Sequence, residues 1–249
     1  MDILTLNRPD RLNAFTLPMI AELLAYFGGV GSSSARVVIL RGAGRAFCAG
    51  MDLDREGRSD DKIPQLMEIQ QSLSSIVLAM RRCPQPIVSL LHGAAAGGGF
   101  ALALATDVRL AAPDLRLIPS FVHIGLSGCD VGTSYFLPRL VGRSLAAEIL
   151  MTGRTLAADR ALRAGLVSDI VPAEDMLEAG MAIAADMLRA SPMGLRMTKD
   201  VLNLNEDAAS LEVAVAIENR TQVLLGQTMD LKEGIAAFRE KRVPAYMGR

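Results

Sequence analysis

Two glycine-rich stretches are where the backbone of this chain can come closest to a ligand. Ala46-Phe47-Cys48-Ala49-Gly50-Met51-Asp52-Leu53 is a loop entered from an apolar run. His92-Gly93-Ala94-Ala95-Ala96-Gly97-Gly98-Gly99-Phe100 leads from a second apolar run into a short apolar helix. Glycine has no Cβ, so its neighbours' amides can be exposed to a ligand. Free amides at the start of a helix suit an oxygen on which negative charge develops. For either stretch taken alone, a plain tight turn is the commoner reading. Competing chemistries find less support. Gly42-Ala43-Gly44 lacks the third glycine of a dinucleotide fingerprint, because Phe47 stands in its place. Neither cluster ends in the Lys-Ser/Thr of a P-loop, and no Gly-x-Ser-x-Gly offers a serine nucleophile. Three cysteines, Cys48, Cys83 and Cys129, form no CxxC, and His92 and His123 are the only histidines. A disulfide framework, a zinc site and a histidine-rich metal site are therefore not expected, and a reducing compartment is.

The elements that must position these loops are readable from the hydropathy pattern. The chain has 249 residues, 51% hydrophobic and 21% charged, with a net charge of −1. That length allows one large domain or one with a small appendage, and the composition excludes disorder. A near-neutral chain with four lysines (Lys62, Lys199, Lys232, Lys241) is not a general nucleic-acid binder. Strand-like runs at Ile3–Asn7, Val37–Arg41, Ile87–Leu91, Val108–Ala111 and Val167–Val171 alternate with amphipathic stretches at Pro18–Phe27, Ile63–Arg82 and Ser144–Met151. This alternation predicts an α/β fold. The run from Pro86 to Thr106 carries no formal charge, yet Gly97-Gly98-Gly99 divides it into a strand and a short helix, Phe100–Ala105, rather than a membrane span. The opening Met1-Asp2-Ile3-Leu4 shows no secretory signal, so a cytoplasmic setting without a membrane is expected.

The last third reads as helical. Thr155 is expected to cap a helix ending at Ala164 before Gly165. Ser191-Pro192 marks another helix start, and Asp230 with Glu233 has capping-box spacing in a helix running to Arg242. A soft boundary near 190 divides a core, 1–190, from a helical region, 191–249.

Together the two loops resemble the crotonase (enoyl-CoA hydratase/isomerase) superfamily, and the resemblance spans essentially the whole chain. Leu4-Thr5-Leu6-Asn7-Arg8-Pro9 through Ala14 resembles the family's opening strand and turn. Phe47 to Leu53 and His92 to Gly99 resemble its two oxyanion segments. Asp130-Val131-Gly132-Thr133 with Leu137 to Gly142 resembles the active-site loop and following helix. Thr152-Gly153-Arg154 and Ala237 to Pro244 resemble later landmarks. Family members usually begin about one strand earlier, so this chain opens inside that region.

The resemblance implies a repeated ββα spiral with a C-terminal helical trimerisation region, assembled as a homotrimer or hexamer. It implies an acyl-CoA thioester substrate, with coenzyme A as part of the substrate and no separate cofactor or metal. The thioester oxygen would lie between the backbone amides of Met51 and Gly98. Adenine would bind near Met51, Asp52 and Leu53, and Phe238 and Lys241 would reach adenine and phosphate from a neighbouring subunit. The departures are specific. Hydratases of the family place glutamates where this chain has Ala101 and Phe121, and neither residue can carry a proton. One acid remains in the loop, Asp130, as in the family's dienoyl-CoA isomerases, although the loop here is one residue longer. Asp130 either moves a proton or caps the following helix, and the two readings stand level. Isomerisation is favoured over hydration. A catalytically impaired acyl-CoA binder is the alternative, and an RNA-binding branch a more distant one. His123 is a reserve proton carrier. His92, Asp107 and Arg139 are expected to make structural hydrogen bonds, and Cys48 and Cys129 to fill the core.

Overall fold

Parallel strands whose residues are apolar on both faces form the centre of the molecule, whose computed structural model describes residues 1–53 and 62–248. β1 (Asp2–Leu6), β2 (Val38–Gly42), β3 (Ile87–Leu91), β5 (Val108–Ala111) and β8 (Asp169–Ile170) pair in parallel, in that spatial order. The register places Val38 opposite Ile87 and Val88 opposite Val108. Alternation then sorts the side chains. Val38, Leu40, Ile87 and Leu91 enter the larger core with α1 (Leu17–Gly29), α2 (Ile63–Arg82) and α3 (Gly98–Leu104). Val37, Ile39, Val88 and Leu90 face the other way, under Met176 and Ala184 of α7 (Met176–Leu188).

A second sheet is made of β4 (Ala94–Ala96), β6 (Arg116–Ile118) and β7 (Leu156–Ala157). β4 and β6 are parallel, and β6 and β7 antiparallel. Two isolated bridges, Phe15 with Met51 and Cys48 with Ala95, bring the earlier loops alongside it. The unit repeats along the chain: a main-sheet strand, a short strand, then a helix. β3–β4–α3 is one copy. β5–β6 followed by α4 (Thr133–Val141) is another, with a 3-10 turn, Ser120–Ile124, between them. This is the ββα spiral that the resemblance implied.

The strands of the second sheet were not anticipated. Three alanines have little strand propensity, and it is pairing with Arg116–Ile118 that makes Ala94–Ala96 extended. That pairing also corrects a helix start. Leu156 and Ala157 pair with β6, so α6 (Ala158–Arg163) begins after them and Thr155 does not cap it. The Val167–Val171 run contracts to Asp169–Ile170. The run from Pro86 to Thr106 forms β3, β4 and α3 inside the core. Among the described residues no helix is long and apolar enough to cross a membrane.

Downstream lie α5 (Arg143–Thr152), α8 (Pro192–Asn205), α9 (Leu211–Gly226) and α10 (Met229–Glu240). Ser191 caps α8 as expected, its Oγ accepting from Gly194 N at 3.1 Å. The capping box at Asp230 is corrected. Thr228 is the cap of α10, accepting from Leu231 N at 3.2 Å. Asp230 instead accepts from the amides of Met247 (2.7 Å) and Gly248 (2.9 Å), and so holds the chain end. α8 is anchored by Lys199, whose Nζ reaches Asp107 at 2.8 Å and the carbonyls of Met80 (3.0 Å) and Gln85 (2.9 Å). α9 buries none of its residues within the single chain.

Candidate active site

The two glycine-rich loops are held against each other by backbone. Cys48 N donates to Ala94 O at 3.0 Å and Ala96 N to Cys48 O at 2.9 Å. A Cβ on Gly99 would stand 2.2 Å from the Cys48 carbonyl oxygen, so only glycine fits. Gly50, at φ +86°, is equally confined: a Cβ there would lie 2.7 Å from Ala96 O and 3.1 Å from Gly98 N. Asn13 fastens the entry to the first loop. Fully buried, it donates Nδ2 to the carbonyls of Ala43 and Ala46, both at 2.8 Å, and accepts from Arg8 N at 2.8 Å. The Arg8 guanidinium reaches Asp52 at 3.0 Å and Ala14 O at 2.6 Å, fixing the far end of the same loop.

This packing leaves two amides without partners. In the Phe15–Met51 bridge, Phe15 N donates to Gly50 O (2.7 Å) and Asp52 N to Phe15 O (3.0 Å), which leaves the Met51 N–H on the side away from Phe15. Gly98 is the first residue of α3, where an N–H has no intrahelical acceptor. Neither amide has a hydrogen-bond partner among the described residues. Both residues line one cavity of about 720 Å³, walled by apolar side chains such as Leu66, Met67 and Leu73 of α2 and Phe121 of the 3-10 turn.

Among the described residues that line it, the carboxylates are Asp52 and Asp130. Asp52 is paired with Arg8. Asp130 is held by neutral groups: its Oδ1 accepts from Val131 N at 2.8 Å and from the Gln70 Nε2 amide across the cavity, while its Oδ2 makes neither bond. The helix-capping reading of Asp130 is corrected, since α4 has Gly132 at its N-cap and no side-chain cap. The backbone of Asp130 is fixed by Thr133, whose Oγ1 accepts from Asp130 N (3.0 Å) and donates to Gly128 O (3.0 Å).

Met51, Asp52, Leu53, Gly98, Phe121 and Asp130 thus meet at one cavity. Ala101 is wholly buried in α3. Phe238 and Lys241 stand apart from that cavity on the surface of α10, Phe238 being 86% exposed and Lys241 ending the helix at φ +53°. His123 is corrected as a reserve proton carrier: it is not among the cavity-lining residues, and its Nε2 is 3.2 Å from Thr152 O. His92 makes the backbone contact expected of it, with Nε2 2.9 Å from Gly44 O. Arg139 bonds Tyr135 O and Asp207, and Asp107 accepts from Ile87 N, as expected of structural residues. Cys48 is buried, and burial pushes its thiol up to about 12, so it is inert. Cys129 is corrected: it is exposed and fills no core. Gln70 escaped the sequence reading because one of two adjacent glutamines, Gln70-Gln71, on an amphipathic helix carries no signal along the chain. Asn13 had one, a polar residue locked into a turn before a Gly-rich loop.

The family model described as Enoyl-CoA hydratase/isomerase matches residues 2–249. The chain belongs to that family. It is accordingly an enzyme of the hydratase/isomerase type. It is 37% identical over 250 residues to the "Probable enoyl-CoA hydratase echA12" of Mycobacterium bovis, covering 98% of this chain and 88% of that one. It is 33% identical to the 1,2-epoxyphenylacetyl-CoA isomerase of Escherichia coli, over 99% and 94% of the two chains. A crystal structure of enoyl-CoA hydratase from Bacillus anthracis superposes with a TM-score of 0.94 at 31% identity, covering 99% of this chain and 95% of that one. Hydratase and isomerase names therefore both occur among the relatives of this enoyl-CoA hydratase/isomerase family member. Among its described residues no group of three or more His, Cys, Asp or Glu is placed to hold a metal.

Proposed function

We propose that this chain is an acyl-CoA isomerase that holds the thioester carbonyl oxygen between the amides of Met51 and Gly98 and moves a proton on the acyl chain with Asp130. The observation that carries the proposal is a pair of amides without partners among the described residues, bordering the same cavity as a carboxylate that no cation among those residues neutralises. Two donors aimed at one oxygen stabilise an enolate that water would leave exposed, by about 3 kcal/mol per donor in comparable sites. The apolar walls raise that worth by excluding water. Hydration needs a base for water and an acid for carbon, and Ala101 and Phe121 supply neither. Asp130 alone suffices to take a proton from one carbon and return it to another.

Coenzyme A enters beside Met51, Asp52 and Leu53, its adenine against that loop. Phe238 and Lys241 complete the adenine and phosphate contacts of a neighbouring subunit. That assignment, in a homotrimer or hexamer, is supported by apolar exposure on α9 and α10: Leu211, Val223, Leu224 and Phe238 are all more than half exposed in the single chain. Three free thiols suit a reducing compartment such as the cytoplasm.

Deuterium entry from D2O into enoyl-CoA and dienoyl-CoA thioesters tests the reading. The enzyme labels the acyl chain, and Asp130→Asn lowers labelling at least ~100-fold while CoA-thioester binding persists. Binding without any labelling in the wild type would make the protein an acyl-CoA binder instead.

A further inference from the structure

The partner that reaches Asp130 from across the cavity carries a role of its own. Gln70 lies on α2, 60 residues away in sequence, and its Nε2 donates to Asp130 Oδ1, the oxygen that also takes Val131 N–H. Both donors act on one oxygen and neither carries a charge. A lysine or arginine in the place of Gln70 would neutralise the carboxylate; an amide fixes its direction and leaves its charge available. The loop beneath is itself under constraint. Val131 is β-branched and buried, yet sits in the left-handed region at φ +46°, followed by Gly132 at φ +83°. A β-branched residue held there is an outlier that only its surroundings can maintain. The backbone therefore turns sharply to present Asp130, and the side-chain end of that presentation comes from α2.

We propose that Gln70 is a positioning residue: its amide fixes the Asp130 carboxylate so that Oδ2, rather than Oδ1, faces the acyl chain. This rests on the reading of Asp130 as the proton carrier. The other ionisable side chain lining the cavity among the described residues, Asp52, is engaged by Arg8. α2 thus both walls the acyl pocket and aims the base.

Four variants test it, read by deuterium entry into 3-enoyl-CoA thioesters in D2O, with KM and thermal midpoint measured alongside. Gln70→Leu lowers kcat roughly 10- to 100-fold, the loss that follows a misplaced reacting group, with KM and midpoint near those of the wild type. Gln70→Asn, which keeps the amide, restores part of the rate. Gln70→Glu sets a second carboxylate against Asp130, so the acid limb of the pH–rate profile moves up by about one pH unit or more; a limb left in place would show that residue 70 does not contact the proton-carrying group. Asp130→Asn separates the two claims. If Asp130→Asn abolishes labelling while Gln70→Leu keeps the wild-type kcat, or if Gln70→Leu changes KM alone, positioning is overturned and the role of Asp130 stands. If Asp130→Asn leaves the rate intact, both are overturned.

Discussion

Gly50→Ala is the substitution that most sharply separates the geometry of this site from its general stability. A Cβ at residue 50 would stand 2.7 Å from the Ala96 carbonyl oxygen, where ordinary contact begins at 3.4 Å, so backbone must retreat by roughly 0.7 Å. The retreating atoms belong to the segment that presents the Gly98 amide, and the moving residue precedes Met51. If Met51 and Gly98 hold one oxygen as proposed, both cannot keep hydrogen-bond distance through such a shift, and forfeiting one is worth about 3 kcal/mol, on the order of 100-fold in kcat. Residue 50 also sits at φ +86°, which costs an L-residue about 1–2 kcal/mol of folding stability. Rates are therefore measured well below the thermal midpoint, with circular dichroism confirming a folded sample. Gly28→Ala is the control: nothing lies within 4 Å of its Cβ position, and it sits inside α1, so alanine raises stability by roughly 0.5–1 kcal/mol and leaves rates unchanged. A Gly50→Ala enzyme with a wild-type kcat would refute the argument that the two loops set the donor geometry.

Lys199→Met strands the Asp107 carboxylate beneath α8 and removes donors from two carbonyls, lowering stability by about 3 kcal/mol in urea titration. Iodoacetamide at pH 8 modifies one thiol per native chain, Cys129, because burial raises Cys48 to about 12 and pushes Cys83 up as well; mass spectrometry counts the adducts. Arg242 holds the Glu233 carboxyl down at about 2, and Glu233 in turn accepts from Ala245 N at 2.7 Å. The depressed value means that this contact contributes in full above the ordinary carboxylate range, near pH 4.3, and is lost as pH falls toward 2, so the exchange protection factor of the Ala245 amide falls across that window and holds above it.

Elements with their own sequence period were legible from the chain. α2 and β3 fall where the apolar spacing put them, because a helical stripe and a fully buried parallel strand are local patterns. β4 was not legible, since three alanines become a strand only when Arg116–Ile118 lies beside them. The same distinction runs through the site. The amide-bearing loops announced themselves by glycine, whereas Asp130 stood out only through the family resemblance, as the acid left in the loop that resembles the active-site loop. Gln70 reaches Asp130 from another element, and no spacing along the chain encodes that meeting. The cap at Thr228 was overlooked because Asp230 and Glu233 imitate a capping box, although both are occupied by the chain's last residues.

A crystal structure of the enzyme with a slowly reacting acyl-CoA thioester measures the central claim most directly. The account predicts the carbonyl oxygen about 2.7–3.1 Å from both the Met51 and Gly98 nitrogens, with the acyl chain running past Asp130. A thioester oxygen bound outside the reach of either amide, or a chain seated in another cleft, would contradict it.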